Sequence, residues 1–395
     1  MILVENKLVV FLSFKISKSS TSELFDFSSK RSEVHELVTA IEENTYIILK
    51  MGIDILRVER QSDIEFKNME KFLFRIKKDD NFNYLLENPS ILNFSEYNTE
   101  SLNNKLWRPI NSSQNELNDK KFINDDYYLS NNDILKFGNI KYLIKDMSPN
   151  LSDLKEITEF KFDFYPSFKT YYNIETKDEK GNNIICDICN VSYCNENNPL
   201  IKFCSCHYMH YECVKTQIEK NTYIKENEKS KNYYINNLRC KTCDFILPLR
   251  FKLSEKKFEF INIEIPKGVN YIILESIEKK VFYGNMKLIH VIKFKNDKDI
   301  INIGRNKKIN DMIICDPSIS KQHAQFIYDK GKILLKNISN KFGSLVFIKN
   351  AINIGDKRIQ IQTGKILFET QKMKFGEFEK YKKKKKTKYP LPSKY

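Results

Sequence analysis

The chain lacks the common signatures of nucleotide-dependent and hydrolytic enzymes. It has no Walker loop, no dinucleotide-binding glycine fingerprint, no His-Glu-x-x-His pair and no nucleophile elbow. Glycine and proline are scarce, at 11 and 10 of 395 residues, which excludes a collagenous or Pro/Gly-rich low-complexity chain. No heptad or solenoid period is visible. No apolar run approaches the roughly 20 residues of a membrane span. The apolar segment Leu8–Phe14 is short, preceded by Glu5 and Lys7 and followed by Lys15, and reads as a strand rather than a signal peptide. Nothing points to an oxidising compartment, so an intracellular chain, cytoplasmic or nuclear, with reduced thiols is expected. The single tryptophan, Trp107, reads as a packing residue.

Against these absences stands a concentration of cysteine. Eight of the nine cysteines lie between Cys186 and Cys243. They are spaced as ligand pairs: Cys186-x2-Cys189, Cys204-x-Cys206, His210-x2-Cys213 and Cys240-x2-Cys243. Thiolates two residues apart can grip one tetrahedral Zn²⁺ at about 2.3 Å per bond. Four such pairs suffice for two closed sites, which predicts two structural zinc ions with no position left for a catalytic water. Cys194 is left over and reads as a loop thiol.

The ligand order resembles the RING family, most closely its RING-CH variant. The stretch Asn198-Pro199-Leu200-Ile201 ahead of Phe203-Cys204-Ser205-Cys206 shares that resemblance. It implies a cross-braced finger over residues 181–250. Cys186, Cys189, His210 and Cys213 would then hold one ion, and Cys204, Cys206, Cys240 and Cys243 the other. His207 competes with Cys206 for the fourth position; Cys206 is the softer ligand. A PHD finger is the rival zinc fold, but Leu238 stands where that family usually carries Trp. RING domains recruit a ubiquitin-conjugating enzyme through an apolar groove, and Ile188 matches a groove residue. Gln217 replaces the usual RING-CH Trp, and Pro248 follows the last ligand late. A zinc finger kept as a scaffold therefore stays open beside a ligase.

A second pattern is C-terminal. Ile303-Gly304-Arg305, Ser320-Lys321-Gln322-His323 and Phe342-Gly343-Ser344 fall in order. Between and after them run short alternating strands at Leu288–Phe294, Met312–Ile314, Gln325–Tyr328, Ile333–Leu335, Ile359–Ile361 and Ile366–Phe368, the pattern of a β-sandwich. Together they resemble a forkhead-associated (FHA) domain over residues 266–370, which implies binding of a phosphothreonine peptide. Arg305 matches the phosphate-site arginine, Ser320 the hydroxyl donor and Lys321 a second donor; Lys341 adds charge, and His323 braces the loop. A guanidinium fork suits a phosphate that carries about −1.5 to −2 charge. Phe342 stands where the family usually has the Asn that holds the peptide backbone.

Residues 1–150 read as a β-rich domain. The stretch 127–144 forms two strands about a turn and resembles the closing Asp-x-Ile-x-x-Gly strands of an FHA fold. No Gly-Arg pair lies upstream, so a degenerate FHA relative without a phosphate site is expected, with an unrelated α+β domain open beside it. Residues 151–180 read as a linker. The formal charge is +15, and the last 25 residues hold ten Lys against two Glu. Residues 371–395 therefore read as a basic disordered tail, with Lys382–Lys386 suited to nuclear import, an acidic membrane or nucleic acid.

The expected architecture is multidomain and mainly β, with a C-terminal FHA sandwich, a central two-zinc finger and an N-terminal β-rich domain. The expected function is a phosphothreonine-dependent adaptor that recruits ubiquitin-conjugating machinery. The RING would do no covalent chemistry itself; it would act by proximity. The alternatives are a non-enzymatic FHA/zinc-finger signalling scaffold and a PHD-like chromatin or nucleic-acid binder.

Overall fold

Alternating apolar residues build almost every element of the chain. The computed structural model describes residues 8–16, 39–41, 45–51, 55–60, 72–81, 83–88, 102, 105–110, 127–148, 163–164, 169–171, 177, 183–236, 238–253, 256–277 and 286–386. Their strands form two β-sandwiches.

In the C-terminal sandwich one sheet runs Met286–Phe294, Asn270–Ser276, Ile140–Ser148, Ile134–Phe137, Ser344–Phe347. The facing sheet runs Met312–Ile313, Ile300–Gly304, Ala324–Asp329, Lys332–Asn337, Tyr127–Tyr128. One core, including Phe137, Tyr142, Ile272, Leu274, Ile303, Phe326 and Leu335, fills the space between them.

The N-terminal sandwich repeats this plan. Its first sheet runs Thr39–Ile41, Leu8–Ile16, Ile366–Lys374, Ile359–Thr363, Trp107–Ile110, and its second Ile352–Ile354, Tyr84–Glu87, Phe72–Lys78, Thr45–Met51, Ile55–Arg60. Its core centres on Phe74 and Phe368, whose rings meet edge-on at 4.8 Å.

The two sandwiches therefore exchange their closing strands. The hairpin 134–148 precedes the zinc segment in sequence yet closes the C-terminal sandwich, while 352–374 returns to close the N-terminal one. Both closing hairpins turn at a left-handed glycine, Gly138 and Gly364, each at φ 51°. Antiparallel pairing of Ser344–Phe347 with Trp107–Ile110 fuses the two first sheets into one continuous sheet. Boundaries at 150 and 266 thus separate strands that share a sheet, a pairing that local sequence patterns do not carry.

The cysteine-rich segment docks on the outer face of this sheet. Along Asn270–Ser276, Ile272 and Leu274 face the sandwich core, while Tyr271 and Ile273 face a second core with Phe203, Tyr211, Phe251 and Phe260. Burial on both faces explains the continuous apolar run at Tyr271–Leu274. The segment supplies a helix, Tyr211–Lys220, which buries Tyr211, Val214 and Ile218 on one stripe. It also supplies a hairpin, Thr222–Glu226 and Ser230–Asn236, that extends the fused sheet beyond Met286–Phe294 and brings it to twelve strands.

Two sequence expectations need correction. Within the supposed linker 151–180, Asp163–Phe164 pairs with Phe251–Lys252 and Lys169–Tyr171 with Leu200–Lys202. Within the supposed disordered tail 371–395, residues through Lys374 continue a strand and Phe375–Lys386 form a helix. Phe375 and Phe378 share one face of that helix, Phe378 is buried, and straight-chain Lys and Glu favour the conformation. Residues 387–395 lie outside the described residues. No described helix is long and apolar enough to cross a membrane.

The exchange makes a prediction. Phe137 is fully buried against Tyr142, His323 and Phe326. Phe137→Ala should cost about 3–5 kcal/mol and unfold the C-terminal sandwich, although it lies in the N-terminal segment. A fragment spanning 266–370 should not fold alone, whereas co-expression with 1–150 should restore it. A cooperative thermal transition of the lone fragment at the full-length temperature would contradict the exchange.

Candidate phosphate and metal sites

Strand Ile300–Gly304 ends where two loops come together. A Cβ on Gly304 would lie 2.5 Å from the Lys321 carbonyl oxygen, so only glycine permits the approach. Beyond it the Arg305 amide donates to the Ser320 carbonyl (3.0 Å) and the Asn306 amide to the Lys321 carbonyl (3.3 Å). Asn310 Nδ2 donates to the carbonyls of Asn306 (2.8 Å) and Lys321 (2.7 Å), lacing the loops together. Arg305 and Lys321 are left exposed at this end of the sandwich.

His323 holds the centre of the arrangement. Its Nδ1 accepts from the Ser320 amide (3.2 Å) and its Nε2 faces the Gly343 carbonyl (2.9 Å), which sets the neutral Nε2–H tautomer. Burial lowers its pKa to about 4, against the opposing effect of the Gly343 carbonyl. The Ser320 hydroxyl meets that of Ser339 at 2.8 Å, tying in the third loop, where Gly343 sits at φ 67°. Lys341, on that loop, is exposed and lies 4.8 Å over the Phe342 ring. The structure thus brings Arg305, Ser320 and Lys321 onto adjoining loops, with Lys341 on the next. Two nearby carboxylates already accept local amides: Asp311 from Asn302 and Asp316 from Ser318.

Two distant segments support these loops, and sequence reading missed both. The closing hairpin's Asn139 amide donates to Ser318 Oγ (2.8 Å), and a Cβ on Gly138 would collide with the same hydroxyl. Along the inserted hairpin, alternate side chains reach one edge of the phosphate loop. Ser230 Oγ (2.7 Å) and Asn232 Nδ2 (3.2 Å) donate to the Asp311 carbonyl, and Tyr234 donates to that of Ile313 (3.1 Å). Asn232 Oδ1 also meets His290 Nδ1 at 2.6 Å, and His290 Nε2 meets the Tyr142 hydroxyl at 3.2 Å. His290 is fully buried, which lowers its pKa to about 3. A period-two polar stripe at Ser230, Asn232 and Tyr234 was the available signal.

The cysteine-rich segment forms two four-residue groups, Cys186/Cys189/His210/Cys213 and Cys204/Cys206/Cys240/Cys243. Within each group the ligand atoms lie within 4.8 Å of one another, so each could hold a metal ion. The pairs Cys186/Cys189 and Cys240/Cys243 sit on matching turns. In each, the amide of the left-handed residue after the pair, Asn190 or Asp244, donates back to the first cysteine's carbonyl. His210 Nδ1 faces Cys189 Sγ at 3.2 Å. Burial and the charge of Cys186 push the Cys213 thiol up to about 12. Crowded thiolates of this kind fit a divalent cation, which lets all of them ionise together. His207 lies outside both groups and links the turns, touching Asp187 Oδ2 and, at 2.7 Å, Thr242 Oγ1. Ile188 is half-buried, packed between the two apolar clusters of this segment, while Cys194 is buried beside Leu200.

The buried imidazoles of His290 and His323 fix a pH response. Each is neutral in the fold and protonates near pH 6.5 when unfolded. The unfolded chain binds more protons below pH 6.5, so stability should fall as pH drops toward the folded values of about 4 and about 3. At pH 5 each imidazole should cost on the order of 2 kcal/mol. Urea unfolding midpoints across pH 7 to 5 test this, with His290→Gln removing part of the slope. A flat profile, or a slope indifferent to that variant, would contradict the assignment.

Comparison with known proteins agrees with the C-terminal geometry. A family model for the FHA domain matches residues 301–367. No curated protein and no solved structure matches the chain. The matched stretch carries Arg305, Ser320 and His323, and it crosses from one sandwich into the other after Phe347. An FHA domain therefore lies at residues 301–367, which implies phosphothreonine-dependent binding and a signalling role.

Proposed function

We propose that this chain is an intracellular phosphothreonine-dependent adaptor with a structural two-zinc module of RING-CH type. The observation that carries the reading is the laced loop pair of the FHA domain, which exposes Arg305 and Lys321 beside the Ser320 hydroxyl. Arg305 meets two phosphate oxygens as a fork, Ser320 adds a hydroxyl donor, and Lys321 and Lys341 add charge. His323 is a positioning residue that fixes Ser320. Phe342 offers no amide to the peptide backbone, so the phosphate carries more of the affinity than flanking main chain does.

The metal groups are assigned zinc from their donor sets and their paired turns: three thiolates with one imidazole in the first group, four thiolates in the second. Both sets are closed, so zinc acts in folding rather than in catalysis. Recruitment of a ubiquitin-conjugating enzyme rests on the half-buried Ile188, with Ile185 and Val191 exposed close by in sequence. A second reading, the non-enzymatic scaffold, is favoured by the core that the zinc segment shares with the twelve-stranded sheet. Autoubiquitination across a panel of conjugating enzymes separates the two: ligase activity lost with Ile188→Ala supports the first, and none with any enzyme the second. The basic run Lys382–Lys386 adds charge at the end of the last helix.

Two measurements test the core of the proposal. Arg305→Ala should weaken binding to a phosphothreonine peptide about thirtyfold or more, the loss of a charge-assisted contact worth roughly 2 kcal/mol or more. Binding that ignores the phosphate or this variant would remove the reading. Metal analysis should find two zinc ions in the purified chain, with Cys240→Ser releasing one and His207→Ala releasing none.

A further inference from the structure

The inserted hairpin lies between the sixth and seventh cysteine/histidine ligands, Cys213 and Cys240, and each of its ends is tied to a different ligand group. At the entry, His210 directly precedes helix Tyr211–Lys220 and Cys213 lies within it. Only Asn221 separates that helix from strand Thr222–Glu226. At the exit, Cys240 follows the last strand residue, Asn236, on a turn where the Cys240 amide donates to the Phe245 carbonyl at 2.9 Å. The Asn236 amide donates to the Asn221 carbonyl at 3.1 Å and so clamps exit to entry. Val214 and Ile218 of the helix share one buried cluster with Tyr233 and Ile235 of the hairpin and with Leu238.

The hairpin in turn grips the phosphate loop by its backbone. Ser230 and Asn232 donate to the Asp311 carbonyl and Tyr234 to that of Ile313, and all three side chains are buried. Lys229 Nζ donates to the Ile300 carbonyl (3.1 Å) and Lys225 Nζ to the Lys307 carbonyl (3.4 Å). None of these bonds goes to Arg305, Ser320 or Lys321. They act on the neighbours of those residues instead. Asp311 adjoins Asn310, whose Nδ2 laces Asn306 to Lys321, and Ile313 pairs with Gly304, next to Arg305. A contiguous chain of hydrogen bonds thus runs from the two ligand groups to the phosphate-binding residues.

We propose that Ser230, Asn232 and Tyr234 are positioning residues for the phosphate loop, and that through them phosphothreonine affinity depends on zinc occupancy. The inference rests on the phosphothreonine and zinc readings above and deepens them by naming a regulation of the phosphate site. With metal bound, both ends of the hairpin are fixed, and the hairpin holds residues 305–313 in the form that presents Arg305. Without metal the ends loosen. Pairing of Ser230–Asn236 with Met286–Phe294 along its whole length keeps the hairpin attached, so the change is a loss of order rather than detachment. A phosphopeptide must then order the loop itself, and binding weakens. Coupling of this kind is reciprocal, so bound phosphopeptide raises zinc affinity by the same factor.

The test uses the full chain, metal-loaded and metal-free, with a phosphothreonine peptide selected from a library on the loaded chain and its unphosphorylated counterpart. Chelation of zinc should weaken the phosphopeptide about fivefold or more, and zinc added back should restore it. Saturating phosphopeptide should raise zinc affinity by the same factor, read by competition with a chelating dye. The double variant Ser230→Ala/Tyr234→Phe keeps every metal ligand. It should retain both ions, bind the phosphopeptide more weakly and lose the zinc dependence. Arg305→Ala should weaken the phosphopeptide in both metal states. If the metal-free chain does not fold, the dye competition on the loaded chain, with and without peptide, decides between wild type and double variant. Phosphate- and Arg305-dependent binding that is the same with and without zinc would overturn the coupling alone. Coupling undiminished in the double variant would overturn the hairpin as its route. Binding indifferent to phosphate and Arg305 would overturn the phosphothreonine reading and the coupling with it, and a purified chain without metal would do the same to the zinc reading.

Discussion

The pairing of Ser344–Phe347 with Trp107–Ile110 is the joint on which the architecture depends. Its register sets Ser344 against Ile110 and Phe347 against Trp107, and the Trp107 and Phe347 rings meet at 5.6 Å. Just past this pair each chain segment leaves its own sandwich for the other. Neither sandwich holds a full set of strands from contiguous sequence, so neither core closes without the other half of the chain. The joint tolerates Pro109 because the neighbouring strand Ile359–Thr363 pairs with Trp107–Ile110 only at Trp107. The missing amide of Pro109 therefore breaks no ladder there. Strand Ser344–Phe347 reaches the functional end, where Ser344 Oγ donates to Asn337, and Asn337 holds the Ser339 carbonyl.

From that joint, support for the phosphate loops comes from two distant parts of the chain. The closing hairpin braces Ser318 and sets Phe137 edge-on to His323 at 5.8 Å. The zinc segment's hairpin holds the Asp311 and Ile313 carbonyls. The buried Asn232–His290–Tyr142 chain ties that hairpin to strand Ile140–Ser148. Arg305 and Lys321 stay exposed, while the groups that aim them are buried and hydrogen-bonded. A binding site built in this way is rigid before its ligand arrives, which lowers the ordering cost of recognition.

Much of this was legible in the sequence, and the failures share a cause. The six strands proposed between Leu288 and Phe368 all exist, because period-two alternation is a local signal. The ligand groups match the spacing of the cysteine pairs, with Cys206 inside a group and His207 outside. The turn at Gly138 was visible from Asp133-Ile134 and the glycine. Its sandwich was not visible, because strand exchange is a long-range pairing that leaves each segment's own pattern unchanged. The polar stretch between Cys213 and Cys240 departs from the RING-CH pattern in composition. It includes a strand whose polar face, Ser230 and Asn232, contacts backbone carbonyls rather than water. The basic end misled through composition: the lysines dominate the count, while Phe375 and Phe378 decide the helix.

Amide hydrogen exchange of the full chain, with and without a phosphothreonine peptide, tests the central claim most directly. The account predicts new protection in loops 305–311 and 318–323, accompanied by protection in the hairpin 222–236 that braces them. Exchange at 305–323 unchanged by saturating phosphopeptide would contradict it.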